Sequence, residues 1–330
     1  MEPYLGSDRL LTFTRSILPV VHSHHCYDTP QHTVDSRRRR IRRGALAFLA
    51  LLAIGCARGE EHSGPRVVGV SKQINEFLYE IGAESVLVAR DLTSIYPPAI
   101  RSLPSVGYHR ALSAEGIISM RPTMLLTDGN LGPDAVVEQV KKVGIPVVVM
   151  APGSTLDSAQ SLMAQLGAKF GKTQAADSVI AAWKRDMAAA IGDSTRWAGA
   201  PKPRVLVMHF GQLNNSYLAL KRGSAGDQVI QWAGGVNAVD SVGGMMRLTP
   251  ELIARAAPDV IIATDVGFDR MGSAEKFATL PGVALTPAAK SGRVYRVDET
   301  EVMYFGPRTA ASIRKIAGWL HPATSATGGR

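Results

Sequence analysis

The sequence predicts an α/β fold: two doubly wound parallel-sheet lobes joined by one long, rigid helix. Three observations carry that expectation. Short apolar runs alternate with amphipathic helices through most of the chain, the pattern of parallel sheets covered on both faces. One long helical stripe interrupts the alternation near its middle. A helix–strand pattern from before the interruption then returns after it.

In chain order, Val67-Val68-Gly69-Val70 reads as a strand. Ile74, Phe77, Leu78 and Ile81 recur at helical spacing up to Gly82, which ends the helix. Val86-Leu87-Val88-Ala89 is the next strand, and Tyr96-Pro97-Pro98 begins a loop and short helix. A helix from Ser113 to about Met120, a strand at 124–127, a helix at 133–143 and a strand at 147–150 complete the first half. Between 156 and 197, the residues Ala176, Val179, Ile180, Trp183, Met187, Ala190 and Ile191 form one apolar stripe. A helix of some twenty residues is ~30 Å long, about the width of a domain, and reads as a strut between lobes. After Pro201 strands are expected at 204–208, 259–263 and 293–297, with helices at 225–233, 250–256 and 308–320. The implied division is a non-mature segment at 1–56, a first lobe at 66–155, a helical region at 156–200 and a second lobe at 201–322.

The repeat is specific. Leu112-Ser113-Ala114-Glu115, with Ile117 and Pro122-Thr123-Met124-Leu125-Leu126, returns as Leu248-Thr249-Pro250-Glu251, with Ile253 and Pro258-Asp259-Val260-Ile261-Ile262. Each copy has a Ser/Thr cap, a Glu at the second helical position, and Pro seven residues after that Glu. An acid in the first turn is favoured by the helix dipole whatever else it does. A matched pair of exposed acids on two similar lobes favours a second role in docking.

Composition excludes several classes. The formal charge of the 330 residues is +9, but the first 65 hold 9 Lys/Arg against 6 Asp/Glu, leaving 28 against 22, or +6. That excess is mild and lacks the clustered, aromatic-interleaved cations of a nucleic-acid groove. Both cysteines, Cys26 and Cys56, precede residue 66, so the body has no disulfide and no cysteine nucleophile. Arg37-Arg38-Arg39-Arg40-Ile41-Arg42-Arg43, the apolar run Ala45–Ile54 and Gly55-Cys56 read as an export signal. The apolar run is about half the ~20 residues needed to span a bilayer. Ala53-Ile54-Gly55-Cys56 resembles a lipobox, which makes Cys56 a candidate lipid anchor, simple cleavage being the alternative. Residues 1–35 match no export pattern and are read as absent from the mature protein.

The chemistry-bearing stretch is Gly107-Tyr108-His109-Arg110-Ala111-Leu112-Ser113-Ala114-Glu115-Gly116. Ser113 is placed to cap a helix with Glu115 in its first turn. In an extended segment Tyr108 and Arg110 leave the backbone on one face, and His109 points the other way to the surface. The commoner use of such a pair is packing and a surface hydrogen bond. A metal or cofactor role needs support from the rest of the chain.

That support comes from a resemblance. Tyr96-Pro97-Pro98, Leu103-Pro104-Ser105-Val106-Gly107-Tyr108-His109-Arg110-Ala111-Leu112-Ser113-Ala114-Glu115-Gly116, Arg222-Gly223-Ser224-Ala225-Gly226-Asp227, Gly234-Gly235-Val236-Asn237-Ala238 and Phe305-Gly306-Pro307-Arg308-Thr309 are similar to the corresponding motifs of bacterial periplasmic haemin-binding proteins. These are the HmuT-like substrate-binding subunits of haem ABC importers, and the likeness runs from about Arg66 to Pro322. It implies the helix-linked binding-protein fold, ferric haem as transported ligand, Tyr108 as axial ligand of the iron, and Arg110 as its partner. Tyrosinate is a known haem ligand, and a neighbouring cation stabilises the phenolate. By the same resemblance Glu115 and Glu251 meet a membrane permease, and the protein is an exported or periplasmic monomer.

Other positions stay open. His209, ending a strand of the second lobe, is a candidate to face the haem from the other side, with or without ligating it. Lys72 and Arg222 lie in ligand-side loops, either pairing with haem propionates or serving as solvated charges. Met245 and Met246 are candidates for the cleft rim. Gly167-Ala168-Lys169-Phe170-Gly171-Lys172-Thr173 has three residues between its glycines where a phosphate-binding loop needs four. No grouping of acid, base and nucleophile stands out, so a non-enzymatic binding protein is expected. The rivals are capture of cobalamin or a ferric siderophore, and, from another class, a tetrapyrrole-processing α/β enzyme such as a chelatase.

Overall fold

The computed structural model describes residues 64–212 and 215–322. The arginine run, the apolar run and Cys56, read as an export signal, lie outside the described residues. Among the described residues no helix is long and apolar enough to cross a membrane.

The first half contains β1 (Val67–Val70), α1 (Lys72–Glu80), β2 (Leu87–Arg90), β3 (Gly107–Tyr108), β4 (Ala111–Leu112), α2 (Ala114–Ser119), β5 (Met124–Thr127), α3 (Asp134–Lys142) and β6 (Val147–Val149). Two helices follow, α4 (Leu156–Lys169) and α5 (Thr173–Asp193). The second half contains β7 (Arg204–Gly211), β8 (Ser216–Leu220), α6 (Ala225–Trp232), β9 (Val236–Asn237), β10 (Met245–Arg247), α7 (Pro250–Ala256) and β11 (Val260–Thr264). It ends with α8 (Asp265–Asp269), α9 (Ala274–Ala278), α10 (Pro287–Lys290), β12 (Val294–Val297), α11 (Thr300–Met303) and α12 (Thr309–Leu320).

The first sheet has the order β2-β1-β5-β6 and is wholly parallel. The second has the order β10-β8-β7-β11-β12, with β9 beside β7. Its β7, β11 and β12 are parallel, whereas β8 runs antiparallel to β7 and β10 antiparallel to β8. The second sheet keeps the expected parallel core of β7, β11 and β12 and adds β8 and β10 as an antiparallel extension. Only residues 212–215 separate β7 from β8, and a parallel neighbour needs a crossover of about a dozen residues or more.

Alternation along the strands builds three apolar layers. Val67 and Leu126 of the first sheet, and Val205, Val207, Val260 and Ile262 of the second, belong to one core. That core includes Phe77 and Leu78 of α1, Leu162 and Leu166 of α4, Trp183 and Met187 of α5, and Ile313 and Ile316 of α12. Intervening residues face outward. Val68, Val70 and Leu125 join Ile117 and Val140, while Leu206, Met208 and Ile261 join Ile253 and Phe277.

The expected strut is α5, whose 21 residues span ~31 Å. Its Trp183 is buried edge-on to Phe77, with ring centroids 6.3 Å apart. The phosphate-loop look-alike is a helix crossing: a Cβ on Gly167 would lie 2.6 Å from that of Ala176. The repeat is also real at the level of caps. Ser113 accepts from the Gly116 amide at the start of α2, and Thr249 from the Leu252 amide at the start of α7. Each helix then leads to a strand, β5 or β11, paired in parallel with the first strand of its half.

Candidate functional site

Residues at or just past the C-terminal ends of β1, β2, β5, β7 and β12 line one cleft of about 870 Å³. Open parallel sheets place ligands in this position. One wall carries Lys72, Asp91, Tyr108, His109, Arg110 and Asp128. The other carries His209, Phe210, Met245, Glu299, Met303 and Tyr304.

The Tyr108 stretch reaches the cleft by continuing the sheet. Arg90 N–H donates to the Pro104 carbonyl at 3.0 Å, Val106 N–H to Arg90 at 2.9 Å, and Leu92 N–H to Gly107 at 2.7 Å. The chain then folds back as the hairpin β3–β4, with Tyr108 opposite Ala111 and His109-Arg110 as its turn. Gly107 stands at φ +101°, a conformation that L side chains rarely adopt. Gly132 buttresses the turn, donating to the His109 carbonyl at 2.9 Å and accepting from Leu112 N–H at 3.0 Å.

This hairpin corrects the extended-segment reading. Because a two-residue turn reverses the chain, side-chain alternation no longer separates His109 from Tyr108. Both line the cleft, with ring centroids 4.3 Å apart, and Arg110 is exposed at the rim. His109 is not a surface residue pointing away. Its Nδ1 lies 3.5 Å from the Thr93 hydroxyl and 4.0 Å from the Asp91 carboxylate, and its Nε2 lies 3.4 Å from the Asn130 amide nitrogen. Asp91 is fully buried and accepts from the Thr93 amide at 2.9 Å and from the Thr93 and Ser94 hydroxyls.

On the opposite wall His209 lies within β7 and contacts the Thr264 hydroxyl through Nδ1 at 3.3 Å. Burial lowers the pKa of both His209 and His109, which keeps the imidazoles neutral and their lone pairs available. Burial, reinforced by Glu299, raises the Tyr108 phenol above its ordinary value, and Arg110 and Lys72 offset this only in part. Arg110 acts in the direction expected of a neighbouring cation, but without iron it does not outweigh burial and Glu299. Tyr304 is pushed up strongly, by burial first and then by Glu299. Lys72, the first residue of α1, is ion-paired with Glu299. Burial works against the Glu299 charge, but Lys72, through its charge and a hydrogen bond, holds its carboxyl below the usual glutamate range, with His209 adding to this once acid protonates its ring.

The cleft thus brings together Lys72, Tyr108, Arg110 and His209 of the expected site residues, and Met245 as well. Arg222 is not among its lining residues: it is exposed, with its backbone bridged to Val242. Glu115 and Glu251 lie away from the cleft, both exposed, each at the second position of its helix. The Glu251 carboxyl is held low by the Thr249 hydroxyl.

Besides His109, four ionisable lining residues escaped the sequence reading: Asp91, Asp128, Glu299 and Tyr304. A signal existed for three of them. Every predicted strand ending at a parallel-sheet crevice aims the next residues at the ligand, and acids follow β2, β5 and β12. The motif Phe305-Gly306-Pro307-Arg308-Thr309 turns out to join the two halves. Arg308 donates to both Glu76 oxygens at 2.8 Å, donates to Thr300 at 2.6 Å, and lies 3.6 Å above the Tyr96 ring centre. One turn earlier on α1, the Gln73 amide donates to the Phe305 carbonyl at 2.9 Å and to the Gly153 carbonyl at 3.1 Å.

Comparison with known proteins gives a consistent picture. A family model described as periplasmic binding protein matches residues 67–301. The periplasmic haem-binding protein RhuT of Roseiflexus sp. RS-1, in apo form, superposes with a TM-score of 0.71 at 29% identity, over 79% of this chain and 99% of its own. The periplasmic haem-binding protein BhuT, in complex with two haems, gives 0.69 at 30% identity, over 78% and 98%. An uncharacterised ABC transporter substrate-binding lipoprotein of Bacillus subtilis, YvrC, is 22% identical over 78% of this chain and 81% of its own length. A vitamin B12-binding protein of Pectobacterium atrosepticum is 22% identical over 77% and 88%.

Proposed function

This chain belongs to the periplasmic binding protein family, and from that premise we propose that it captures ferric haem between its two sheets for an ABC importer. The sheets act as two lobes, 66–155 and 201–322, joined through the helical region 156–200. The observation that carries the reading is the shared cleft: Tyr108 and His209 line it from opposite halves of the chain, with Arg110 at the rim. Among the described residues no cluster of three or more His, Cys, Asp or Glu is positioned for a bare metal ion. Haem brings its own ring of nitrogen ligands, so one or two protein ligands suffice to hold its iron. Tyr108 supplies the axial oxygen once the iron displaces its proton. Neutral His209 and His109 supply lone pairs nearby.

The similarity to haem-binding proteins at 29–30% identity supports this ligand. Cobalamin is the second reading, favoured by the relatives named for vitamin B12. Titration of the purified protein with haemin and, separately, cyanocobalamin decides between them. A high-spin ferric tyrosinate spectrum with haemin, lost in Tyr108→Phe, is the expected result. Saturable cobalamin binding without a haemin response overturns it. Capture ends in delivery: Glu115 and Glu251, at matching helix starts, meet the permease. The protein is extracytoplasmic, held at the membrane by Cys56 where that residue is lipidated.

A further inference from the structure

Lys72 and Glu299 come from opposite halves and meet in the floor of the cleft, with only 10% and 13% of their side chains exposed. A second cavity, of about 770 Å³, lies beyond them, and both cavities are lined by this pair and Thr93. The pair is a partition. Among the described residues, Arg110, exposed at the rim, is apart from Lys72 the only lysine or arginine lining the main cleft, whereas Asp91, Asp128 and Glu299 are all carboxylates. Resting on the haem reading, a ligand with a cationic iron centre and two carboxylates meets acid at the floor and free cation at the mouth.

We propose that Glu299 is a specificity-determining residue of this cleft: by occupying Lys72 it turns the carboxylates of a tetrapyrrole outward, to the Arg110 rim. A ligand carboxylate reaches Lys72 only by displacing a buried carboxylate from its partner, leaving Glu299 unpaired at a steep cost in free energy. Exchanging one carboxylate for another gains nothing to offset that cost. The iron, with its positive charge, is drawn to the acidic floor instead. Lys72 is therefore no propionate ligand in the unmodified protein.

The test compares haemin with haemin dimethyl ester, which keeps the iron and ring but lacks the two negative charges. The ratio of ester to acid dissociation constants is measured in the unmodified protein, in Glu299→Gln, and in Lys72→Met/Glu299→Gln. Freeing Lys72 in Glu299→Gln is expected to raise the ratio at least ~10-fold, the worth of one charge-assisted hydrogen bond. The double variant is expected to return it to the starting value. In Arg110→Gln, which leaves the floor intact, the ratio falls toward one; this holds even where the floor variants fail to fold. An unchanged ratio in Glu299→Gln, or a ratio in Arg110→Gln equal to that of the unmodified protein, overturns the proposal while leaving haem capture standing. Failure of every variant, and of the unmodified protein, to bind haemin overturns the haem reading itself.

Discussion

Tyr108 is a half-buried phenol beside a carboxylate, and that setting makes its proposed ligation of haem iron a proton-releasing event. Its folded pKa lies above the ordinary value, so at neutral pH it carries a proton that iron must displace. Haemin affinity is expected to rise from neutral to mildly alkaline pH, approaching ~10-fold per unit if one proton leaves. The slope should vanish in Tyr108→Phe; an equal slope in that variant would assign the proton to another group. Glu299 behaves in the opposite sense. Its folded carboxyl sits below the ordinary value, so its contribution to stability is complete above about pH 4.3 and drains away as pH falls through the depressed value. The melting temperature is expected to fall on acidification in that window, and less steeply in Lys72→Met/Glu299→Gln. Matching profiles would remove Glu299 from the acid-labile groups.

At the scale of elements, α1 holds the cleft's two walls at a fixed distance. Gln73 and Glu76 stand one turn apart on it, and both bond to the segment leading into α12. The Glu76–Arg308 pair is bidentate, with side-chain exposures of 7% and 21%, and Tyr96 covers the guanidinium. Breaking such a pair from one side strands a buried carboxylate. Arg308→Ala is expected to lower unfolding free energy by ~3 kcal/mol in urea denaturation. Arg308→Lys, which keeps the charge and loses the planar fork, should cost less but remain measurable. A loss below ~1 kcal/mol for Arg308→Ala would show that the tie contributes little. The 21-residue α5 works alongside this tie: its Trp183 and Met187 sit in the core to which both sheets contribute. With that core continuous, closure of the cleft is expected to be a small hinge motion.

For the molecule as a whole, the proposed docking of the two exposed glutamates on a permease concerns a step that follows binding. Glu115 and Glu251 follow a hydroxyl cap at the same spacing, hold the same helical position and precede a parallel strand, and neither lines the cleft. Reversing both charges (Glu115→Arg with Glu251→Arg) is expected to leave haemin affinity within about twofold while haem-dependent growth through the importer stops; the limit on affinity follows because both carboxylates are exposed to screening solvent and neither lines the cleft. Undiminished uptake in the double variant would sink the docking assignment.

Much of this architecture was legible along the chain. The strand at 67–70, the helix at 250–256 and the long stripe from Ala176 to Ile191 lie where their periodicity places them, because burial of one face imposes a period that neighbours in sequence already display. The Ser113 and Thr249 caps are likewise local. Three things were not. The antiparallel β8 and β10 depend on a strand's partner, which no single segment encodes. His109 faces the cleft because a tight turn, braced by Gly132 across the loop, reorients it. Lys72 is neutralised by Glu299, which lies 227 residues away along the chain. Local periodicity determined which residues form elements and which faces they bury; only the folded chain decided which charges meet, because electrostatic pairing acts through space and takes no account of sequence distance.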